Sequence, residues 1–136
     1  EYFKVIPAIG KEIGDANPGM KCSVPEYCFN IYHDGEYKEN DIDIEFCEAV
    51  PKRGKDTETI KFKKIDKIDT ATCVMHKGPY STLGEAYSAV YKWIEENNYI
   101  PCDNPRESYI DGIWNKEDPE EWLTEIQVPI VSKNNL

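Results

Sequence analysis

Two segments that lie 80 positions apart decide the fold: IEFCEAV at residues 44–50 and TEIQVPI at residues 124–130. When they are aligned, Phe46 falls on Ile126, Ala49 on Pro129 and Val50 on Ile130, as in two copies of one strand. Self-similarity at a fixed spacing is typical of duplicated structural units. The same offset pairs Cys22 with Cys102, Pro25 with Pro105, Phe29 with Tyr109 and Glu45 with Glu125.

The duplication predicts a single domain over residues 1–136, made of two half-repeats. The halves span about 1–50 and 61–131, and the polar segment PKRGKDTETI at 51–60 joins them. That segment has the composition of a linker but is too short to separate independent domains. A chain of 136 residues is also long enough to bury one sizeable core.

The second half-repeat is predicted to fold as strand, helix, strand, strand. Gly78-Pro79 ends the first strand, and Thr82 with Glu85 three residues later forms a capping box that begins the helix. Apolar residues then recur at three- and four-residue steps, as on one face of a helix. The predicted elements are a strand at 65–76, a helix from Thr82 to about Asn97, and strands near 107–114 and 121–131.

The first half-repeat is predicted to repeat this order without its leading strand, which would lie upstream of Glu1. Its helix carries Val5, Ile9 and Ile13 and stops at the breaker cluster 14–19. Strands follow near 27–33 and 41–50. Two helices over two antiparallel strand groups predict an α+β domain with pseudo-twofold symmetry.

Strand alternation assigns the faces of the last strand. Thr124, Ile126 and Val128 share one side and are suited to packing, while Glu125 points to the other. Glu45 is placed in the same way in the first half. A pseudo-twofold axis would bring these polar faces together across a central groove, although a lone strand glutamate is more often solvated.

Composition excludes several functional classes. Asp and Glu number 26 against 16 Lys and Arg, so the net charge is −10 and no basic face is available for direct contact with nucleic acid. An acidic chain with nine Tyr favours cationic or neutral small molecules, or is acidic simply for solubility. The five Cys form no C-x-x-C pair, which predicts neither a zinc site nor a disulfide framework and favours the reducing cytoplasm. No apolar run is long enough for a membrane span.

Three segments carry a family resemblance: GPYSTLGEAYSAVYKWIEENNYI at 78–100, ESYI at 107–110 and LTEIQVPI at 123–130. They resemble the gyrase-inhibitor-like effector-binding domain of AraC- and MerR-type transcription regulators, which also occurs alone. The resemblance implies a tandem strand-helix-strand-strand fold with a central cleft. In that cleft, aromatic rings and one buried glutamate receive lipophilic, often cationic molecules. Through the T-E-I motif the glutamate would be Glu125, and the E-x-Y motif would place Tyr109 beside it.

Other candidate residues are weighed against their structural roles. Tyr27, Phe29 and Trp114 are candidate walls of the cleft, although aromatic residues in strands are more often core. The acidic strand 41–45 could bind a divalent cation, but a solvated edge is the simpler interpretation. Nothing in the sequence supports nucleophilic catalysis, a metal site or a cofactor.

Two functional hypotheses follow. The first is a cytoplasmic effector-sensing domain that binds a small molecule through Glu125, Tyr109, Tyr27, Phe29 and Trp114, with DNA bound only by a separate upstream domain. The second is a stand-alone hydrolase, similar to family members that open cyclopropane-containing electrophiles. In that case Glu125 would act as general base and Tyr109 would assist proton transfer.

Overall fold

A computed structural model of the chain describes residues 2–23, 27–35 and 38–136, with the backbone alone for 2–5. It divides into two compact units. The first comprises Glu1–Tyr27 and Glu48–Lys67, and the second Cys28–Cys47 and Ile68–Leu136. Whether the whole chain forms one domain, as the duplication predicts, stays a prediction.

The first unit contains helix α1, Tyr2–Ala16. Ile9 and Ile13 are half-buried on it, while the side chain of Val5 lies outside the described part. The Glu12 carboxylate accepts hydrogen bonds from the hydroxyls of Thr57 and Thr59, so α1 is tied to the segment that follows Glu48.

The second unit is built on an antiparallel sheet and helix α2, Leu83–Glu96. The sheet order is β2-β1-β5-β6-β3, and the short β4 pairs with the far end of β6. Pairs β1–β5, β5–β6 and β3–β6 are antiparallel. The strands are β1 Cys28–Tyr32, β2 Ile44–Glu48, β3 Ala71–Lys77, β4 Tyr99–Pro101, β5 Arg106–Asp111 and β6 Leu123–Ser132.

The element order confirms the predicted α+β fold. Moving α1 by 80 positions gives 82–96, which matches α2, and moving β2 by the same amount gives 124–128, which lies inside β6. The sheet order is also symmetric about the central β1–β5 pair, because β2 flanks β1 as β6 flanks β5. Pro25, one of the residues that suggested the repeat, lies outside the described part of the chain.

One face of the sheet packs against α2 and is called the helix face; the other is called the reverse face. Ile126 and Val128 are fully buried on the helix face, as alternation along β6 predicts. The stripe of α2 that covers them consists of Leu83, Ala86, Tyr87, Val90 and Ile94. The core of this unit is therefore a single layer between helix and sheet.

Three local predictions differ from the structure. β3 begins at Ala71 rather than near residue 65, and the short β4 at Tyr99–Pro101 was not predicted. The Thr82 side chain does not cap α2. Its hydroxyl donates instead to the Pro79 carbonyl at 2.9 Å and contacts His76 Nε2 at 3.0 Å, because a 3₁₀ turn at Tyr80–Thr82 precedes the helix. Among the helices that the structure describes, none is long and apolar enough to cross a membrane.

Candidate ligand site

A buried carboxylate lies at the centre of the helix face. Glu107 on β5 is only 2% exposed. The Tyr87 hydroxyl donates to its Oε2 at 2.5 Å from α2, and the Tyr109 hydroxyl donates to its Oε1 at 3.0 Å from β5. No Lys or Arg of the described residues forms a salt bridge with it. Carboxylates are rarely buried without a positive partner, so this group is unusual.

A second layer of polar groups holds Tyr109 in place. Asn30 Nδ2 donates to the Tyr109 oxygen at 2.8 Å, and the Tyr32 hydroxyl lies 3.1 Å from the same oxygen. Because Tyr109 uses its proton on Glu107, its oxygen is left to accept from these neighbours. We call the group of Glu107, Tyr87, Tyr109, Asn30 and Tyr32 the carboxylate cage.

Two further rings adjoin the cage. Tyr80 meets Tyr109 edge to face with centroids 5.7 Å apart, and Trp122 lies 5.0 Å from Tyr80 on its other side. The turn that presents Tyr80 is anchored at Gly78, whose N–H donates to the Trp122 carbonyl at 2.8 Å. The G-P-Y motif therefore serves to place an aromatic ring beside the carboxylate cage.

Burial controls the ionisation of the cage. It raises the pKa of Glu107 above its ordinary value, while hydrogen bonds from Tyr87, Tyr109 and Tyr32 act in the opposite direction. Burial and the nearby carboxylate raise the pKa of Tyr87 and Tyr32 as well, and raise that of Tyr80 to about 12. These tyrosines are therefore neutral hydrogen-bond donors at physiological pH.

The structure places the buried carboxylate at 107 rather than at the expected position 125. Glu125 is half-buried on the reverse face, where Gln127 Nε2 donates to its Oε1 at 2.9 Å. It pairs in register with Ser108, whereas Glu107 pairs with Ile126 on the helix face. Strand residues one position apart point to opposite faces, so Glu125 and Glu107 lie on opposite sides of the sheet. A ligand-binding role for Glu125 stays a prediction.

The expected aromatic walls are only partly brought together. Tyr109 lies in the cage, but Phe29 is buried on the reverse face, where the Arg106 guanidinium lies 5.4 Å from its ring centroid. The 80-residue offset pairs Phe29 with Tyr109, while the register pairs Phe29 with Ser108, so this alignment is one residue out of phase and exchanges the faces.

A wall role for the other two predicted residues stays a prediction. Trp114 is 55% exposed in the turn after β5, and Tyr27 belongs to the first unit, where its carbonyl accepts from the Ala49 N–H. One sequence signal pointed to Glu107: it stands two residues before Tyr109 on a strand, and such residues share a face. Within the described residues no cluster of potential metal ligands occurs.

Comparison with known proteins gives a family match and matches to five solved chains, among them two EcmrR chains. The model of the family described as GyrI-like small molecule binding domain matches residues 3–131. The crystal structure of the EcmrR C-terminal domain is similar with a TM-score of 0.91 and 53% identity over 96% of this chain and 82% of that one. No curated protein sequence matches.

The second structural match is a cryo-EM structure of an EcmrR–DNA complex. It has a TM-score of 0.90 and 53% identity over 96% of this chain. Only 48% of the EcmrR chain is covered there, so the present chain spans about half its length.

Proposed function

Because the chain belongs to the GyrI-like small molecule binding domain family, we propose that the carboxylate cage binds a lipophilic organic cation through Glu107. The observation that carries this proposal is a carboxylate, 2% exposed, that receives hydrogen bonds only from tyrosine hydroxyls and forms no ion pair with a Lys or Arg among the described residues. The charge of His76 lowers the pKa of Glu107 without a hydrogen bond between the two groups. A ligand cation would supply a close positive partner.

The rings around Glu107 favour a cation of a particular kind. Tyr80 meets Tyr109 of the cage and Trp122 packs against Tyr80, and an aromatic face that contacts a cation attracts it by about 0.5–2 kcal/mol. A large cation with apolar substituents would gain this attraction and also bury its own apolar surface. A neutral molecule of the same shape would lose the charge pairing with Glu107.

The likeness to EcmrR supports a regulatory role. EcmrR is seen in complex with DNA, and its C-terminal domain has the fold of the present chain. We propose that this chain is the effector-binding domain of a MerR-type transcription regulator that works in the cytoplasm. A net charge of −10 makes this segment a poor partner for phosphates, so DNA binding would belong to a separate domain.

The proposal is tested by calorimetric titration with tetraphenylphosphonium, and with triphenylphosphine oxide as its neutral counterpart. Glu107→Gln keeps the shape and removes the charge, so it should weaken cation binding by at least about tenfold, since close charge pairs in complexes contribute about 1.5–7 kcal/mol. Glu125→Gln is the matched control on the reverse face and should bind as the unchanged protein does. Equal affinity in the Glu107→Gln variant would refute the role of Glu107, and a loss confined to Glu125→Gln would assign it to Glu125.

A second function is favoured by the 2.5 Å contact between Tyr87 and Glu107. A buried carboxylate with a raised pKa, next to a tyrosine hydroxyl, is suited to general acid–base catalysis. Glu107 would take a proton from water as the water oxygen bonds to a carbon of an activated cyclopropane. The ring bond breaks, and Tyr87 or Tyr109 protonates the carbon that is released. The resulting tyrosinate then takes the proton held by Glu107 through the hydrogen bond that joins them, which restores the site. Ring opening that continues unchanged in Glu107→Gln would exclude this function.

A further inference from the structure

A second concave surface lies between α2 and the edge strand β3, on residues that the carboxylate cage does not use. It has a volume of about 520 Å³, within the range of about 300–1,000 Å³ of ligand pockets. We call it the α2–β3 groove. The residues that form its walls include Thr72, Val74, Val90, Trp93, Tyr99 and Ile130.

The groove has the opposite electrostatic character to the cage. None of the residues that line it is Asp, Glu, Lys, Arg or His. The Cys73 thiol is not part of this lining, because Cys73 pairs with Gln127 and its side chain points to the reverse face, as that of Glu125 does. A charged ligand would find no partner here and would lose its hydration, which disfavours ions.

One wall of the groove is flat and aromatic. The rings of Trp93 and Tyr99 stack with centroids 6.0 Å apart and planes 14° apart. Trp93 is nevertheless 46% exposed, although a side chain of this size is usually well buried. A planar molecule in the groove would cover the part of the indole that is now exposed to solvent.

We propose that the α2–β3 groove is a second binding site, specific for a neutral, planar aromatic molecule. The flat Trp93–Tyr99 wall selects the shape, and the uncharged lining selects neutrality. The site is independent of the cation that we assign to Glu107.

The test uses calorimetric titration with 2-naphthol and with 2-naphthoate, a planar anion of similar size. Trp93→Ala should weaken 2-naphthol binding by at least about tenfold, because aromatic anchors of binding sites contribute this much or more. The unchanged protein should bind 2-naphthoate at least about tenfold more weakly than 2-naphthol, because the uncharged lining offers the carboxylate no partner. Glu107→Gln should bind 2-naphthol as the unchanged protein does.

Ala89→Lys provides a second variant that does not remove a packed ring. Ala89 is exposed and lines the groove, so lysine adds bulk and charge there without disturbing the core, and 2-naphthol binding should be lost. Unchanged affinity in both Trp93→Ala and Ala89→Lys would overturn the proposal. A loss in Glu107→Gln would also overturn it, since the probe would then be in the cage. Failure of tetraphenylphosphonium to bind has no bearing on these outcomes.

Discussion

The Tyr87 hydroxyl lies 2.5 Å from Glu107 Oε2, so the helix and the sheet of the second unit are joined by a hydrogen bond inside their shared core. Tyr87 is 4% exposed and Glu107 2% exposed, which removes water as an alternative partner for either group. Because the bond is charge-assisted when Glu107 is ionised, it stabilises the fold and also fixes the carboxylate that we assign to the ligand.

Tyr87→Phe should therefore lower the free energy of unfolding at neutral pH. The variant keeps the ring and removes the donor, and leaving a buried charged acceptor with one bond fewer costs about 1–3 kcal/mol. Tyr91→Phe is the matched control, since Tyr91 stacks on Tyr87 with centroids 6.4 Å apart but is only half-buried. Urea denaturation of the three proteins measures the difference, and an equal effect of the two variants would contradict a special role for the Tyr87 hydroxyl.

The raised pKa of Glu107 predicts that Glu107→Gln gains stability, relative to the unchanged protein, as the pH rises. Below the ordinary value of 4.5 the carboxyl group is protonated in both the folded and the unfolded chain, and its burial is tolerated. As the pH rises from this value through the pKa of the folded chain, the unfolded chain releases the Glu107 proton before the folded chain does. The contribution of Glu107 to the free energy of unfolding is therefore lost over this range. Glutamine does not titrate, so the stability of the variant relative to the unchanged protein should increase between about pH 4 and pH 8.

Urea denaturation of both proteins across this range measures that difference, and the titration of groups that do not interact with Glu107 cancels in it. A difference that stays constant with pH, or that shrinks as the pH rises, would show that burial does not raise the Glu107 pKa.

The packing of the core in the second unit predicts a large loss of stability when the Ile126 side chain is shortened. Its side chain is fully buried between β6 and α2, so Ile126→Ala should cost about 2–5 kcal/mol through lost apolar burial and the cavity that remains. Ile113 is 66% exposed, and Ile113→Ala should change stability by less than about 0.5 kcal/mol. Thermal unfolding of the two variants measures the contrast, and similar effects would mean that Ile126 is not in the core.

The alternation of residues along a strand shows which face is packed, but it does not show which polar residue is buried. The alternation of Thr124, Ile126 and Val128 predicted the packed face of β6, because burial on one face leaves a period of two in the sequence. The same period does not identify which polar residue is buried. Glu107 and Glu125 are both strand glutamates next to apolar residues, and they differ only in the face to which they point.

That difference depends on contacts between distant residues. Glu107 is buried because Tyr87 on α2 and Asn30 on β1 surround it, and neither contact has a local sequence signal. Likewise, an offset of 80 aligns the helices and most strands but is one residue out of phase at Phe29, which exchanges the faces. Local sequence patterns therefore predicted the helices and strands and their order. Identifying the buried carboxylate also required the pairing register of the strands, which the sequence does not show.

Two glycine-to-alanine substitutions should have opposite effects on the stability of the protein. Gly78 has a φ of +127°, which L-residues rarely adopt, so Gly78→Ala should destabilise the protein by about 1–3 kcal/mol through backbone strain. An added Cβ would lie 3.7 Å from His76 Nε2, which is ordinary contact, so strain and not a clash is the cause. Gly10 lies inside α1 with open space around its Cα, and Gly10→Ala should stabilise the helix by about 0.5–1 kcal/mol.

The Gly78 variant should also weaken tetraphenylphosphonium binding. Relief of the strain moves the turn that holds Tyr80 against Tyr109, and the ring then no longer adjoins Glu107. Thermal unfolding and calorimetric titration of both variants measure the two effects, with Gly10→Ala expected to bind as the unchanged protein does. Equal binding by the two variants, with Gly78→Ala still destabilised, would show that the G-P-Y turn contributes to folding but not to the ligand site.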